Sequence, residues 1–197
     1  PDPRTPLEET LHTLDSLVTA GKIRYAGVSN LPAWQVADAC HIARRDNLAG
    51  IISCQDELSL LTRSAGKELL PALTHFALGL LPYFPLASGM LTGKYRRDAP
   101  PPEGSRLAAW TYLQERYRDP ATWSLIEALA ELAARYERPM ADLAFGWLLH
   151  KPQIGSVIAG ATSTAQLEAN IASCAAPLDE PLLEALENLL EKHGTPS

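Results

Sequence analysis

The sequence predicts an α/β protein with a parallel β-sheet, because helical patterns alternate along the chain with short, largely continuous apolar runs. Two of these runs cover residues 23–30 and 50–56. Strands without in–out alternation are typical of parallel sheets covered by helices on both faces, as in a doubly wound sheet or a (β/α) barrel. The chain contains neither G-x-G-x-x-G nor G-x-x-x-x-G-K-[ST]. Their absence counts against the usual nucleotide-binding doubly wound sheets and leaves a flavodoxin-like sheet open beside the barrel.

The first helix has recognisable boundary signals. Thr5 can cap its N-terminus, Pro6 suits the first helical position, and Glu8 lies at the capping-box distance from Thr5. Apolar residues then recur at helical spacing between positions 7 and 18. Gly21 is the predicted end of this helix.

The remaining elements follow in alternating order. Strands are predicted at residues 23–30, 50–56, 79–86 and 154–161, and helices from about residue 32, then at 66–77, 122–137, 139–150, 163–174 and 180–193. A proline-rich polar loop covers residues 96–105. We expect one domain over residues 1–197, in which the stretch of about 96–150 is a helical and loop excursion.

Composition limits the classes of function. The formal net charge is −6, which counts against a nucleic-acid-binding surface, because phosphate binding needs basic residues. The spacing of Cys40, Cys54 and Cys174 fits neither a metal site nor a disulfide framework, so free thiols and no metal site are predicted. The sequence shows no secretory signal pattern and no apolar run of membrane-spanning length. The expected location is therefore the cytoplasm, away from the membrane.

The ends of the predicted strands carry compatible chemistry. Ser29 and Asn30 end the first strand, Gln55 lies at the end of the second, and Tyr83 lies near the end of the third. Hydroxyl and amide groups both donate and accept hydrogen bonds, which suits a carboxamide, and an aromatic ring can stack on a flat heterocycle. The helix start after the fourth strand, with nearby basic side chains, suits phosphate. Together these groups favour a cradle for a nicotinamide dinucleotide.

Each of these residues also has a purely structural interpretation. Asn30 can cap the helix that follows it, since asparagine is common at that position. Tyr83 can be a core aromatic residue whose hydroxyl is bonded. Lys94, Arg96 and Arg97 can belong to a solvated loop. The predicted cradle therefore depends on all four strand ends meeting at one pocket.

Five segments, in this order along the chain, resemble the aldo-keto reductase family: GKIRYAGVSN, CQDELSLLTR, YFPLASGMLTGKY, PPEGSR and VIAGATSTAQLEANI. The resemblance covers almost the whole chain. It implies a (β/α)8 barrel of the TIM-barrel type, of which this chain would hold strands five to eight as a partial barrel. It also implies NADPH as cofactor and hydride transfer to a small-molecule aldehyde or ketone.

The resemblance assigns roles to individual positions. Ser29, Asn30 and Gln55 would hold the nicotinamide carboxamide, and Tyr83 would stack on the ring. The residues implied at the pyrophosphate are Phe84, Pro85, Leu86, Ala87, Ser88 and Lys94. Those implied around the ribose phosphate and the adenine are Gly160, Thr162, Gln166 and Asn170, with Arg106 reaching the cofactor from the excursion.

Three positions depart from the pattern common in the family. Phe84 replaces a serine, which removes one hydroxyl group. Asp56 stands where asparagine is usual, which adds a charge. Gln166 stands where many members have arginine, which weakens the implied preference for NADP over NAD.

The resemblance places the family's catalytic Asp, Tyr, Lys and His on earlier strands, outside this chain. The five histidines lie on predicted helices or near helix ends, where surface or packing roles are expected. Carbonyl reduction needs a proton donor beside the developing oxyanion. Two hypotheses follow: a reductase represented by its cofactor-binding half, and a catalytically inactive truncated homologue that binds nucleotide or a partner protein. A half-barrel has open strand edges, so we expect self-association or pairing with an amino-terminal half.

Overall fold

The computed structural model describes residue 2 and residues 4–195, so the ends of the predicted domain, at Pro1, Pro3, Pro196 and Ser197, lie outside the described residues. The helices are Leu7–Thr19 (α1), Ala33–Asp46 (α2), Leu69–Phe76 (α3), Arg106–Ala109 (α4), Thr111–Arg116 (α5), Pro120–Arg135 (α6), Met140–Leu149 (α7), Thr164–Cys174 (α8) and Glu180–His193 (α9). The strands are Gly27–Ser29 (β1), Ser53–Gln55 (β2) and Gly79–Leu80 (β3). Two 3-10 helices cover Ser64–Gly66 and Ala87–Thr92.

The three strands form one parallel sheet in the order β1-β2-β3, which confirms the predicted α/β class. Cys54 pairs with Leu80, and both are buried in a core that also contains residues of α2 and α3. The other face carries small residues in register, namely Gly27, Ser53 and Gly79. A Cβ on Gly27 would lie 2.5 Å from the Ser53 hydroxyl oxygen, so a larger residue there would have to displace its neighbour.

The fourth predicted strand, at residues 154–161, is not a continuous strand. Two isolated parallel bridges replace it, Leu80–Ile154 and Tyr83–Ile158. Pro82 explains the interruption, because proline has no N–H to donate between the two bridges. Its carbonyl oxygen still accepts from the N–H of Ile158 at 2.9 Å. The segment lies beside β3 and parallel to it, so four neighbouring segments follow one another in sequence order.

Helix α1 begins later than the sequence signals predict. Pro6 occupies the capping position, and the described residues provide no side-chain hydrogen bond there. The predicted capping box of Thr5 and Glu8 is therefore wrong, because Thr5 lies one residue too early to cap the first turn. Gly21 ends the helix as predicted: it has φ +68°, and its N–H donates to the carbonyl oxygen of Val18 at 2.9 Å.

The excursion at 96–150 contains the two long helices predicted there, α6 and α7, and two short helices that no periodicity predicts, α4 and α5. Asp119 caps α6 by accepting from the N–H of Ala121 at 3.0 Å. Leu125 and Leu129 of α6 are fully buried in one core with residues of α7 and α9. No helix within residues 2 and 4–195 is both long and apolar enough to cross a membrane.

Candidate functional site

The carboxyl ends of β1 and β2 bring four of the predicted residues together. Ser29 and Gln55 are partners in the parallel register, and the Ser29 hydroxyl donates to the Gln55 carbonyl oxygen at 2.9 Å. The backbone N–H of Asn30 donates to the same oxygen at 3.1 Å. The Tyr83 hydroxyl donates to Oδ1 of Asn30 at 2.9 Å. We call Ser29, Asn30, Gln55 and Tyr83 the amide cluster.

Asn30 does not cap the following helix, so the structural alternative for this residue is wrong. Pro32 occupies the capping position of α2, which has no side-chain cap among the described residues. Asn30 has φ +57°, a left-handed conformation that asparagine adopts more readily than most residues. In this conformation its side chain meets Tyr83 instead of the first turn of α2.

Beside the amide cluster lies a cleft of about 330 Å³, which we call the acidic cleft. Its described lining includes three carboxylates, Asp56, Glu57 and Glu68, and no lysine or arginine. Oδ2 of Asp56 is buried and has no hydrogen-bond partner among the described residues. Burial raises the pKa of the Asp56 carboxyl, and a hydrogen bond from the backbone of Asn30 opposes part of that rise.

Glu57 links the acidic cleft to the excursion. Its carboxylate forms an ion pair with Arg116 of α5 and accepts from the Thr62 hydroxyl at 3.2 Å. The hydrogen bond to Glu57 raises the pKa of Arg116. Burial raises the pKa of Tyr83, and the neighbouring carboxylates add to the rise. The Tyr83 phenol therefore keeps its proton at neutral pH and continues to donate to Asn30.

The chain after Tyr83 forms a tight coil with left-handed backbone. Phe84, Ala87 and Ser88 have φ values of +54°, +46° and +58°, and Gly89 has +95°. Such conformations cost non-glycine residues about 1–3 kcal/mol each and cluster at ligand-binding sites. The Phe84 ring meets the Tyr83 ring edge to face, with centroids 5.3 Å apart. The residue that replaces a serine of the family pattern thus packs against the ring expected to stack on the nicotinamide.

The predicted pyrophosphate residues do not all face the strand ends. The buried members are Pro85, Ala87 and Ser88. Leu86 is half-buried, and the Ser88 hydroxyl accepts from the buried Tyr117 at 3.5 Å. Lys94 is exposed and lies over the coil, since a Cβ on Gly89 would be 3.2 Å from its Nζ. The coil therefore offers backbone groups together with one ammonium group.

A second group of predicted residues meets at the start of α8; we call Arg106, Gly160, Thr162, Gln166 and Asn170 the α8 cluster. Oε1 of Gln166 accepts from the Thr162 N–H at 2.9 Å and from its hydroxyl at 3.1 Å. The Asn170 amide donates to the Gly160 carbonyl oxygen at 3.5 Å. Arg106 reaches the same place from α4, since a Cβ on Gly160 would lie 3.2 Å from its Nη2.

A sequence profile of the Aldo/keto reductase family matches residues 1–191. The chain belongs to the aldo-keto reductase family. It is 34% identical, over 97% of its length, to a probable voltage-gated potassium channel subunit beta of Arabidopsis thaliana, of which it covers 60%. It is 33% identical to Protein tas of Escherichia coli K12, over 99% of this chain and 56% of the relative. It is also 33% identical to Aflatoxin B1 aldehyde reductase member 2 of Mus musculus, over 95% of this chain and 55% of the relative. The chain thus spans little more than half the length of these relatives.

In this member of the aldo-keto reductase family, both clusters lie at the ends of neighbouring parallel segments. Tyr83 and Ile158 form a parallel bridge, and Gly160 follows Ile158 by two residues. Ligands of (β/α) barrels and of doubly wound sheets bind at the carboxyl ends of the strands. The edge that carries the amide cluster and the α8 cluster is therefore the candidate binding edge.

Two of the histidines have structural partners. His12 hydrogen-bonds Asp46 at 3.1 Å, and the His41 ring packs edge to face on Phe76. No histidine among the described residues lines the acidic cleft. The described part of the chain contains no group of three or more His, Cys, Asp or Glu residues that could hold a metal ion.

Sequence reasoning missed the ion pair between Glu57 and Arg116. Glu57 directly follows Asp56 at the end of a predicted strand, and this position was the available signal. Arg116 lies 59 residues later, on a short helix without a periodic pattern, so nothing local indicates the pairing. Thr62 and Glu68, which also line the acidic cleft, give no sequence signal of their own.

Proposed function

We propose that this chain is the NADP(H)-binding portion of an oxidoreductase that transfers hydride between NADPH and a small-molecule aldehyde or ketone. Membership of the aldo-keto reductase family supports the oxidoreductase class. The observation that best supports NADP(H) as the cofactor is that the Arg106 guanidinium lies close to Gly160. This sets a guanidinium group beside a position without a side chain, a few residues before the start of α8, where a phosphate fits.

The amide cluster suits the nicotinamide end of the cofactor. Ser29, Asn30 and Gln55 combine hydroxyl and amide groups, and Tyr83 offers a ring face for stacking. Because the Tyr83 hydroxyl occupies Oδ1 of Asn30, Nδ2 of Asn30 is left to donate to the carboxamide oxygen. Bound there, the nicotinamide supplies the hydride. The carboxylates of the acidic cleft favour its cationic oxidised form over the neutral reduced form.

The coil and the α8 cluster suit the phosphate groups. Lys94 lies over Gly89 of the coil, and Arg106 lies over Gly160. A Cβ at either glycine would narrow the space beneath the basic side chain. Helix α8 is 11 residues long, so its start also offers backbone N–H groups and the positive end of a helix dipole. Gln166 is neutral, so Arg106 supplies the charge for the 2′-phosphate that distinguishes NADP from NAD. Asn170 is placed for the adenine.

Turnover requires a proton donor for the developing oxyanion. Tyr83 already donates to Asn30 and serves the cluster as a positioning group. The family resemblance assigns proton transfer to the Asp, Tyr, Lys and His of earlier barrel strands. We propose that activity depends on these strands, and that this chain by itself binds the cofactor without turnover.

The sheet is proposed to be half of a (β/α) barrel. Its four neighbouring segments run parallel in unbroken sequence order, whereas doubly wound sheets reverse their order. β1 and the segment at 154–158 are the outer members, and their edges would pair with strands from another part of the protein or from a second copy. The three cysteines are free, which fits the proposed cytoplasmic location.

A second candidate function is the binding of nucleotide or of a partner protein without catalysis. Two relatives named as potassium channel subunits, from Arabidopsis thaliana and rice, favour it. NADPH oxidation with a generic aldehyde separates the two functions when this chain is supplied with barrel strands that carry the catalytic Asp, Tyr, Lys and His, because this chain alone is expected to bind the cofactor without turnover in both cases. Turnover supports the reductase, and cofactor binding without turnover supports the second candidate.

The cofactor proposal is tested by titrating the chain with NADPH and following the fluorescence of the bound nicotinamide. We expect saturable binding that Arg106→Gln weakens by about tenfold or more, as expected for loss of a charged phosphate contact. Arg24→Gln is the matched control, because Arg24 is exposed and lies before β1. Absence of binding, or equal affinities of the two variants, would remove the proposal.

A further inference from the structure

A second cleft, of about 400 Å³, lies in the excursion between the loop at 95–101 and the beginning of α6. It shares no described lining residue with the acidic cleft. Its volume lies within the range of sites for small organic ligands. Neither the family resemblance nor the proposed coenzyme site uses it. We call it the arginine cleft.

The arginine cleft is lined by more basic than acidic side chains, although the net charge of the chain is −6. Its described lining includes Arg96, Arg97 and Arg118 and one carboxylate, Asp98. Arg97 bonds to Glu127 at 2.8 Å, and Arg118 bonds to Glu115 at the same distance; neither acidic partner lines the cleft.

Arg96 differs from the other two arginines, because it forms no hydrogen bond or ion pair with another described residue. All five of its N–H donors are therefore available. A planar guanidinium group with free donors matches a carboxylate in a bidentate geometry.

Aromatic side chains form the apolar part of the same cleft. Tyr95 and Tyr117 are buried, and one basic group already lies near each ring: Nζ of Lys94 is 5.0 Å from the Tyr95 centroid, and the Arg116 guanidinium is 5.4 Å from the Tyr117 centroid. Trp123 also lines the cleft, is half-buried, and has no such cation among the described residues. Part of its indole packs against the core, and the rest is the ring surface left for a ligand.

We propose that the arginine cleft binds a small anion with a flat conjugated body. The ligand carries a carboxylate that pairs with Arg96, and its flat conjugated body packs on Trp123. An aliphatic anion would lose the ring contact, and a neutral aromatic molecule would lose the charged hydrogen bonds. The site is separate from the coenzyme site, so both ligands bind at once.

The test is isothermal titration calorimetry of the full chain with cinnamate, and with cinnamamide as its neutral counterpart. We expect cinnamate to bind with a dissociation constant below about 1 mM, and cinnamamide to bind at least about tenfold more weakly. Arg96→Gln should weaken cinnamate binding by about tenfold. Arg24→Gln, another exposed arginine, should leave it unchanged. A saturating amount of NADPH should not displace cinnamate.

Four outcomes overturn the proposal. They are the absence of cinnamate binding, equal binding of cinnamate and cinnamamide, equal effects of Arg96→Gln and Arg24→Gln, and displacement by NADPH. Displacement would assign the cleft to the coenzyme site, whereas failure of NADPH to bind at all would affect only the proposed function. Because Arg96 is exposed and bonds to no other described residue, its substitution should leave the fold intact, which a circular dichroism melt checks.

Discussion

The acidic cleft and the arginine cleft are similar in size, about 330 and 400 Å³, and the charged side chains that line them are mainly of opposite sign. Helix α5 contributes to both, since Arg116 pairs with Glu57 of the acidic cleft and Gln114 lines the arginine cleft. The charges also differ in exposure. The Glu57 side chain is 17% exposed, whereas Glu127, which pairs with Arg97, is 52% exposed. The net charge of −6 therefore describes neither site. Because Glu57 is less exposed than Glu127, the same substitution should lower the free energy of unfolding more in the acidic cleft.

The largest difference between the clefts is expected in the free energy of unfolding that is lost when an ion pair is broken, Glu57–Arg116 in one case and Glu127–Arg97 in the other. Glu57→Gln removes the charge that compensates the partly buried Arg116, so the free energy of unfolding should fall by about 2 kcal/mol. Glu127→Gln, the matched change beside the arginine cleft, should cost less than about 1 kcal/mol, because solvent screens that pair. Urea unfolding of both variants measures the difference. Equal losses would show that the clefts do not differ in effective burial.

Asp56→Asn should stabilise the protein by about 1 kcal/mol at pH 7, because it removes a buried charge whose Oδ2 has no partner. The pKa of Asp56 is raised above its ordinary value of 3.8, so the folded state holds this proton more tightly than the unfolded chain does. The stabilising contribution of the proton is present below pH 3.8 and is lost as the pH rises through the raised pKa. The advantage of Asp56→Asn should therefore shrink towards pH 4.

Unfolding measured between pH 4 and pH 7 checks this prediction. Asp98→Asn in the arginine cleft is the control, because Asp98 is exposed; it should change the free energy of unfolding by less than about 0.5 kcal/mol. A destabilising effect of Asp56→Asn at pH 7 would mean that the Asp56 carboxylate has a partner at that pH.

The smallest effect is expected for the hydrogen bond that closes the amide cluster beside the acidic cleft. Tyr83→Phe keeps the ring and removes the donor to Asn30, so the free energy of unfolding should fall by about 0.5–1 kcal/mol. Tyr25→Phe provides the comparison, since Tyr25 is 70% exposed. If thermal melts of the two variants coincide, the hydroxyl of Tyr83 does not hold Asn30 in place.

The residues at the ends of the strands were the part of the candidate site that the sequence predicted best. Ser29 and Gln55 end neighbouring parallel strands, and parallel register alone brings them together. The length of the strands was less predictable: the apolar run at 79–86 is continuous, but Pro82 has no N–H to donate towards the segment at 154–158, so only isolated bridges form there. Apolar character encodes burial and says little about hydrogen bonding, so the fourth strand was predicted as continuous.

The contributions of the excursion could be predicted only in part. Arg106 was expected at the cofactor through the family resemblance, and it does approach Gly160. The contact of Arg116 with Glu57 and the arginine cleft both form where the short helix α5 packs against other parts of the chain. Such contacts depend on how α5 packs on the rest of the chain, and no local pattern records that packing.

The left-handed coil after Tyr83 also restricts how this chain can diverge. Its conformation places Phe84 at positive φ, Leu86 at φ −98°, and the three consecutive residues from Ala87 to Gly89 again at positive φ. One inserted or deleted residue would put the wrong side chains into the positive-φ positions and turn the following peptide groups away. We therefore expect descendants of this sequence to keep the length of the coil constant.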